Sequence, residues 1–118
     1  MFNFEKLDVW QKAVVLADVI YSQTRNFPAD ERFGLTNQMR RAAISISSNI
    51  AEGSSRMSQA DFSRFIEIAT GSVFEVTSQA FIAKKQGFLS EEKFRSIYQA
   101  TEELSRMLSG LRKSLSNS

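Results

Sequence analysis

The feature that most constrains the fold is a run of apolar residues at strict four- and three-residue spacing. Side chains at this spacing fall on one face of an α-helix, because each residue turns the helix by about 100°. The run consists of Phe62, Ile66, Ala69, Val73, Val76, Ala80 and Ala83. Such a seam is typical of a helix that packs into neighbouring helices. The pattern therefore predicts a long helix over about residues 59–86 in a helical bundle.

Weaker apolar periodicity elsewhere in the chain predicts three more helices. They cover about Asp8–Arg25, Glu31–Glu52 and Glu91–Leu111. The single proline, Pro28, separates the first two, since proline disfavours helix in the residue before it. Gly53 and Gly87 stand where left-handed helix caps are expected. Short connections make successive helices antiparallel, so we predict an all-α, up-down-up-down four-helix bundle formed by residues 1–118 as one domain.

Polar residues mark the expected helix starts. Ser58 precedes Asp61 by three residues and Ser90 precedes two glutamates, and both arrangements favour a helix N-terminus. Asp8 with Gln11 resembles a capping box in which aspartate replaces serine. These residues predict where the third, fourth and first helices begin.

Composition restricts the available chemistry. The chain has no cysteine and no histidine, which excludes disulfides, Cys/His zinc sites and histidine acid–base catalysis. Carboxylates, serines and lysines remain, but no spacing organises them into a catalytic site. No apolar run approaches the ~18 residues of a membrane span, and the N-terminus lacks a signal-peptide pattern. We expect a cytoplasmic, non-enzymatic binding or assembly protein with no cofactor, no metal and no membrane partner.

The second predicted helix carries an unusual polar arc opposite its apolar stripe. The arc is rich in serine and asparagine, which compete for backbone hydrogen bonds and are poor interior helix formers. Together with two acids of the third helix it gives a candidate polar layer of Arg41, Ser45, Asn49, Glu52, Glu67 and Glu75.

Three interpretations of this polar layer are open. It is a solvated face, a set of paired polar groups within or between protomers, or a surface that binds RNA phosphate and sugar. In the second interpretation Arg41 meets Glu67 or Glu75, and Asn49 bonds a backbone group. We favour the second, because a solvated face normally carries more charge.

Phe74, Phe81 and Phe88 recur every seven residues beside the main seam of the third helix. One interpretation is a broad core within the monomer. The other is an oligomer interface, whose buried centre is enriched in aromatic side chains. A monomer seldom leaves so much apolar surface exposed, so we predict a homo-oligomer with these residues at its interface.

The net charge is only +2, too small by itself to indicate nucleic-acid binding. The candidate nucleic-acid-binding residues are Arg40, Arg56, Arg64, Lys84, Lys85, Arg112 and Lys113. Ordinary surface charge is the alternative interpretation for each. They are expected to form separate patches, with no exposed aromatic residue beside them as a stacking platform.

Several motifs resemble those of a known family, the four-helix-bundle proteins encoded within intervening sequences of bacterial 23S rRNA genes. The motifs are Leu7-Asp8-Val9-Trp10-Gln11, Phe27-Pro28, Gln38 through Gly53, Ile68-Ala69-x-Gly71-Ser72-x-x-Glu75, Gly87-Phe88-Leu89 and Leu108-x-Gly110-Leu111-x-x-Ser114-Leu115. The resemblance implies antiparallel bundles that assemble as ring-like homopentamers. It also implies a suspected RNA-binding role without enzymatic activity or cofactor. The family is distantly similar to the accessory protein of diversity-generating retroelements, a pentamer that binds nucleic acid and a reverse transcriptase.

Two functions follow as expectations. In the first, a homo-oligomer, pentameric by the resemblance, binds structured RNA or DNA through the nucleic-acid backbone. In the second, the protein is an interaction scaffold or adaptor for another protein, such as a nucleic-acid enzyme, and has no nucleic-acid affinity of its own.

Overall fold

The computed structural model describes residues 1–116, and all regular secondary structure in that range is helical. The four main helices are α1 (Asp8–Thr24), α2 (Leu35–Ser54), α3 (Gln59–Lys85) and α4 (Glu91–Ser116). Short 3-10 helices cover Asn3–Lys6 and Ala29–Glu31. Each main helix packs on the next, and α1 also contacts α4. The all-α bundle predicted from apolar periodicity is confirmed.

The core lies along the predicted seams. On α3 all predicted seam residues are buried except Phe62, which is partly buried and packs against the core. The α2 stripe is also buried, with Met39, Ile46 and Ile50 at 0% exposure. Burial of a large aliphatic side chain contributes about 1.5–3 kcal/mol, so these stripes supply the main force that holds the helices together.

Helix ends follow the predicted caps at three places. The Ser58 hydroxyl accepts a hydrogen bond from the Asp61 N–H at 3.1 Å, and Ser90 accepts one from the Lys93 N–H at 3.1 Å. Gly87 adopts a φ of +81°, and the Phe88 N–H donates to the Ala83 carbonyl at 2.8 Å. This is the left-handed C-terminal cap expected of a glycine at this position.

The predicted capping box at the start of α1 was wrong. The N-cap is Leu7, whose side chain makes no capping bond, and Asp8 is already helical. Gln11 instead donates its side-chain amide to the Glu5 carbonyl at 2.8 Å. The preceding 3-10 helix brings that carbonyl within reach of Gln11, which the local pattern alone does not reveal.

The predicted role of Gly53 as a left-handed cap was also wrong. Gly53 is a buried residue inside α2 and does not have a positive φ. A Cβ atom at this position would lie 2.7 Å from the Phe65 Cβ and 3.0 Å from the Phe62 Cδ1. Gly53 is therefore a point of close contact between α2 and α3, and a larger side chain there requires a neighbour on α3 to shift.

The start of α2 also differs from prediction. The segment around Glu31 forms a 3-10 turn, and α2 begins at Leu35. The Glu31 carboxylate accepts the Leu35 N–H at 3.0 Å, so it satisfies one of the free donors at the α2 N-terminus. The backbone turn at Gly34 separates the two helical segments.

Replacing Glu103 with glutamine should slightly lower thermal stability at neutral pH and not at acid pH. Lys12 bonds Glu103 at 2.8 Å and joins α1 to α4; this bond and its charge lower the pKa of Glu103. A carboxylate with a depressed folded pKa stabilises the fold above its unfolded pKa of about 4.3, and that contribution is lost as pH falls through the folded value. Thermal melting curves of the original protein and of Glu103→Gln, recorded at pH 7 and at about pH 3, measure this difference in stability. A difference in melting temperature that persists unchanged at acid pH would show that it does not come from the ionised Glu103 side chain.

Candidate nucleic-acid interface

Most of the predicted basic residues are paired with acids on the surface. Four of the seven form ion pairs: Arg56 with Glu52, Arg64 with Asp61, Lys84 with Glu91, and Arg112 with Glu67. Exposed pairs of this kind contribute only about 0–1 kcal/mol to stability. They also cancel charge locally, so they add little to the positive potential that attracts a phosphate backbone.

Arg40 packs between helices. Its Nε donates to the hydroxyl of buried Thr24 at 2.9 Å, and its guanidinium lies 4.6 Å from the centre of the Tyr21 ring. These contacts tie α2 to α1 and satisfy part of the guanidinium. The structure thus gives Arg40 a packing role, and its predicted contact with nucleic acid stays a prediction.

A second set of cations has no carboxylate within 4 Å in the described residues. It consists of Lys6, Arg25, Arg32, Arg41, Lys85, Lys93 and Lys113. Only Lys85 and Lys113 of this set were predicted as binding residues. The sequence does carry a partial signal, since none of the seven has an acid three or four residues away, where a helical ion pair forms.

Four of these cations lie at one end of the bundle. Here the α1–α2 connection meets the α3–α4 connection, and the Phe27 and Phe88 rings lie 5.5 Å apart. We call this region the basic end and define its cations as Arg25, Arg32, Lys85 and Lys93. The acids of the same segments are Asp30, Glu31, Glu91 and Glu92. Glu31 caps α2 and Glu91 pairs with Lys84 and Arg95. Within residues 1–116 this leaves four cations and two acids without an ion pair at this end.

The predicted polar layer divides into separate groups. Ser45 and Ser72 share a hydroxyl hydrogen bond of 2.8 Å, and the Asn49 amide donates to the Ser45 carbonyl at 2.8 Å. The backbone bond expected for Asn49 is therefore present. These three residues link α2 to α3 through a small polar cluster.

Arg41 forms no ion pair within residues 1–116 with Glu67, one of the two partners that the paired interpretation offered. Glu67 pairs instead with Arg112 of α4. Arg41 and Glu75 line one groove of about 390 Å³ between α2 and α3, but neither forms an ion pair or hydrogen bond within residues 1–116. The Gln79 side-chain oxygen on this groove is buried and has no hydrogen-bond partner among residues 1–116.

The predicted aromatic interface is partly open. Phe74 and Phe81 are 64% and 51% exposed and, with Tyr98, line an apolar groove of about 510 Å³ between α3 and α4. We call this the aromatic groove. Phe88 is partly buried against Phe27 within the protomer, so it lies outside the groove.

No metal site or membrane span is evident in the part of the chain that the structure describes. Residues 1–116 hold no group of three or more acids placed to bind a metal ion. None of the described helices is both long enough and apolar enough to cross a bilayer.

Comparisons with known proteins found a matching protein family and a similar solved structure. Residues 5–110 match the family model described as 23S rRNA-intervening sequence protein. A solved structure of a protein with unknown function, from the S23 ribosomal protein family of Bacteroides thetaiotaomicron, is similar with a TM-score of 0.80 and 25% identity. That similarity covers 89% of this chain and 98% of the other. No curated protein matches the sequence.

Proposed function

Because the chain belongs to the 23S rRNA-intervening sequence protein family, as its motifs predicted, we propose that it is a non-enzymatic, homo-oligomeric protein that binds structured RNA. The observation that carries the RNA-binding proposal is the basic end, where four cations lack carboxylate partners among the described residues. Lysine and arginine side chains that are not paired with a carboxylate are available to neutralise RNA phosphates. The contacts are with the RNA backbone and carry no sequence readout.

The proposal includes an antiparallel course of the four helices. Two ion pairs between α3 and α4 support it, Glu67 with Arg112 and Lys84 with Glu91. From the first pair to the second, the residue number on α3 rises while the residue number on α4 falls, as it does in two antiparallel helices. The bond between Ser45 and Ser72 and the short distance from Gly53 to Phe65 support the same relation between α2 and α3.

The proposed assembly is a ring, with five protomers as the expected number. Two different surfaces support it: the aromatic groove on the α4 side of α3, and the polar groove holding Arg41 and Glu75 on its α2 side. A contact between two unlike surfaces is heterologous, and such contacts form a ring when the rotation from one protomer to the next closes. Five protomers of charge +2 would give a ring of about +10, concentrating positive potential where the basic ends converge.

We predict that the protein binds an RNA hairpin at low salt and loses affinity steeply as salt rises. Phosphate neutralisation releases counterions, so the logarithm of the binding constant falls linearly with the logarithm of salt concentration. The double variant Arg32→Ala/Lys85→Ala should weaken binding and reduce that slope by about 2, or about 1 for each lost phosphate contact. Fluorescence anisotropy across a salt series measures both quantities.

Arg64→Ala is the matched control for this experiment. Arg64 is exposed and pairs with Asp61 in the first turn of α3, far along the helix from the basic end. The control should leave affinity and slope near those of the original protein. Equal losses per removed charge in the double variant and the control would mean that general charge, and not the basic end, attracts RNA.

A protein scaffold is the second candidate function, and the aromatic groove favours it. Exposed apolar grooves of this kind take amphipathic helices of partner proteins, and the partner here would be a nucleic-acid enzyme. In that case the groove stays open in the assembled protein and RNA binding is negligible. A stable oligomer that binds no RNA across the salt series would support the scaffold and overturn the RNA-binding proposal.

A further inference from the structure

Phe33 is the large aromatic residue that the fold leaves most exposed. Its side chain is 85% exposed in the connection between α1 and α2, and the Arg32 guanidinium lies 5.4 Å from the centre of its ring. A single exposed apolar residue is common and needs no explanation by itself. Phe33 differs from such residues because a cation lies over its ring. It also lies at the basic end, whose other cations have no carboxylate partner in the described residues.

The connection that carries Phe33 is held in place by its own hydrogen bonds. The Arg32 N–H donates to the Ala29 carbonyl at 3.2 Å, and the Gly34 N–H donates to the Glu31 carbonyl at 2.9 Å. The Glu31 side chain then bonds the first N–H of α2. These bonds fix the backbone on both sides of Phe33, so the ring is presented to solvent by an ordered turn.

The charges around Phe33 favour an anionic occupant. Arg25 and Arg32 lie in the same connection, and Lys85 lies at the end of α3 beside Gln86, which lines a groove with Glu31 and Gly34. Of the nearby acids, Glu31 is engaged at the α2 N-terminus, and Asp30 is the unpaired acid of this connection. An aromatic face among cations matches the chemistry of a nucleotide, which combines a planar base with a phosphate.

We propose that Phe33 and Arg32 form a stacking site for an unpaired RNA base, with Arg25 and Lys85 contacting the flanking phosphates. This inference rests on the proposed function and adds the class of substrate: RNA with single-stranded segments, such as loops or bulges. Only an unpaired base can leave its own stack and lie against a protein ring. Because every base has a π-face, the site is tolerant of sequence.

The test compares two RNA probes and three variants of Phe33. The probes are a fluorescein-labelled hairpin with a single-stranded loop and a fully paired duplex of equal phosphate number. Phe33→Ala should weaken hairpin binding by roughly 5- to 150-fold, the range expected for one lost base–aromatic stack. Phe33→Leu keeps an apolar side chain but should lose a similar amount, whereas Phe33→Trp should retain affinity. Duplex binding should change little in all three.

The outcomes separate this inference from the proposed function. If the original protein binds neither probe at any salt concentration, both proposals fail. If it binds the hairpin in a salt-dependent way and Phe33→Ala binds equally well, the stacking site is overturned and the phosphate-binding function stands. A change in oligomer mass on Phe33→Ala would place Phe33 in a contact between protein copies and would also overturn the stacking site.

Discussion

Gly53→Ala should lower the free energy of unfolding by about 1–3 kcal/mol, the usual cost of forcing an extra methyl group into a packed contact. Alanine is the better helix former, so propensity alone predicts the opposite sign. The contact decides the sign, because the new Cβ would lie 2.7 Å from the Cβ of Phe65. A Cβ is fixed to the backbone, so it cannot rotate away, and α2 and α3 have to separate.

Gly110→Ala is the matched control for Gly53→Ala. Gly110 also lies within a helix, and a Cβ placed there meets no atom within 4 Å. It should therefore raise the free energy of unfolding by about 0.5–1 kcal/mol, the ordinary gain of alanine over glycine in a helix. Denaturant titrations followed by circular dichroism, at one fixed protomer concentration, measure both variants. Stabilisation by Gly53→Ala would show that the α2–α3 contact is loose.

The helices could be predicted because their signals are local. Apolar spacing sets the buried face of α3, and Ser58, Ser90 and Gly87 form the caps that their positions predict. The prediction that Gly53 is a left-handed cap was wrong because it, too, used only a local signal. A glycine at the end of an apolar pattern is typical of a left-handed cap, and only the distance to Phe65 on another helix shows that it serves close packing.

Side-chain partners across helices were harder to predict. Arg41 was predicted to meet Glu67 or Glu75, but the sequence does not give the rotation of each helix about its own axis. Glu67 faces α4 and pairs with Arg112, 45 residues away in sequence. Arg40 was chosen as a candidate nucleic-acid-binding residue for its charge alone, and its contacts with Thr24 and Tyr21 of α1 could not be read from the sequence.

The basic end was missed because its charges come from separate connections. Arg25 and Arg32 lie about 60 residues before Lys85 and Lys93, and in the structure Phe27 packs against Phe88 where the two connections meet. Phe33 was missed because the second helix was predicted to begin at Glu31, which placed Phe33 inside a helix, whereas α2 begins at Leu35. Its exposure is a property of the turn that holds it.

Phe74→Glu should dissociate the proposed oligomer. Phe74 is more exposed than Phe81 in the aromatic groove, so a charge there should disturb the protomer fold little. Loss of a buried aromatic anchor costs an interface about 2 kcal/mol or more, equal to roughly 30-fold in the association constant. The burial of an unpaired carboxylate adds to this loss. Light scattering and sedimentation velocity over a dilution series should show a lower mass for the variant at every concentration.

Phe33→Glu provides the control for Phe74→Glu, because it places the same charge on another exposed phenylalanine at the basic end, outside the groove. This variant should keep the oligomer mass and lose RNA affinity. The pair of variants thus separates assembly from binding. If Phe74→Glu leaves the mass unchanged, the interface is elsewhere, and exposed Val14 and Val15 of α1 become the candidates. If the original protein is a monomer at all concentrations, the ring proposal fails and the groove is left to a protein partner.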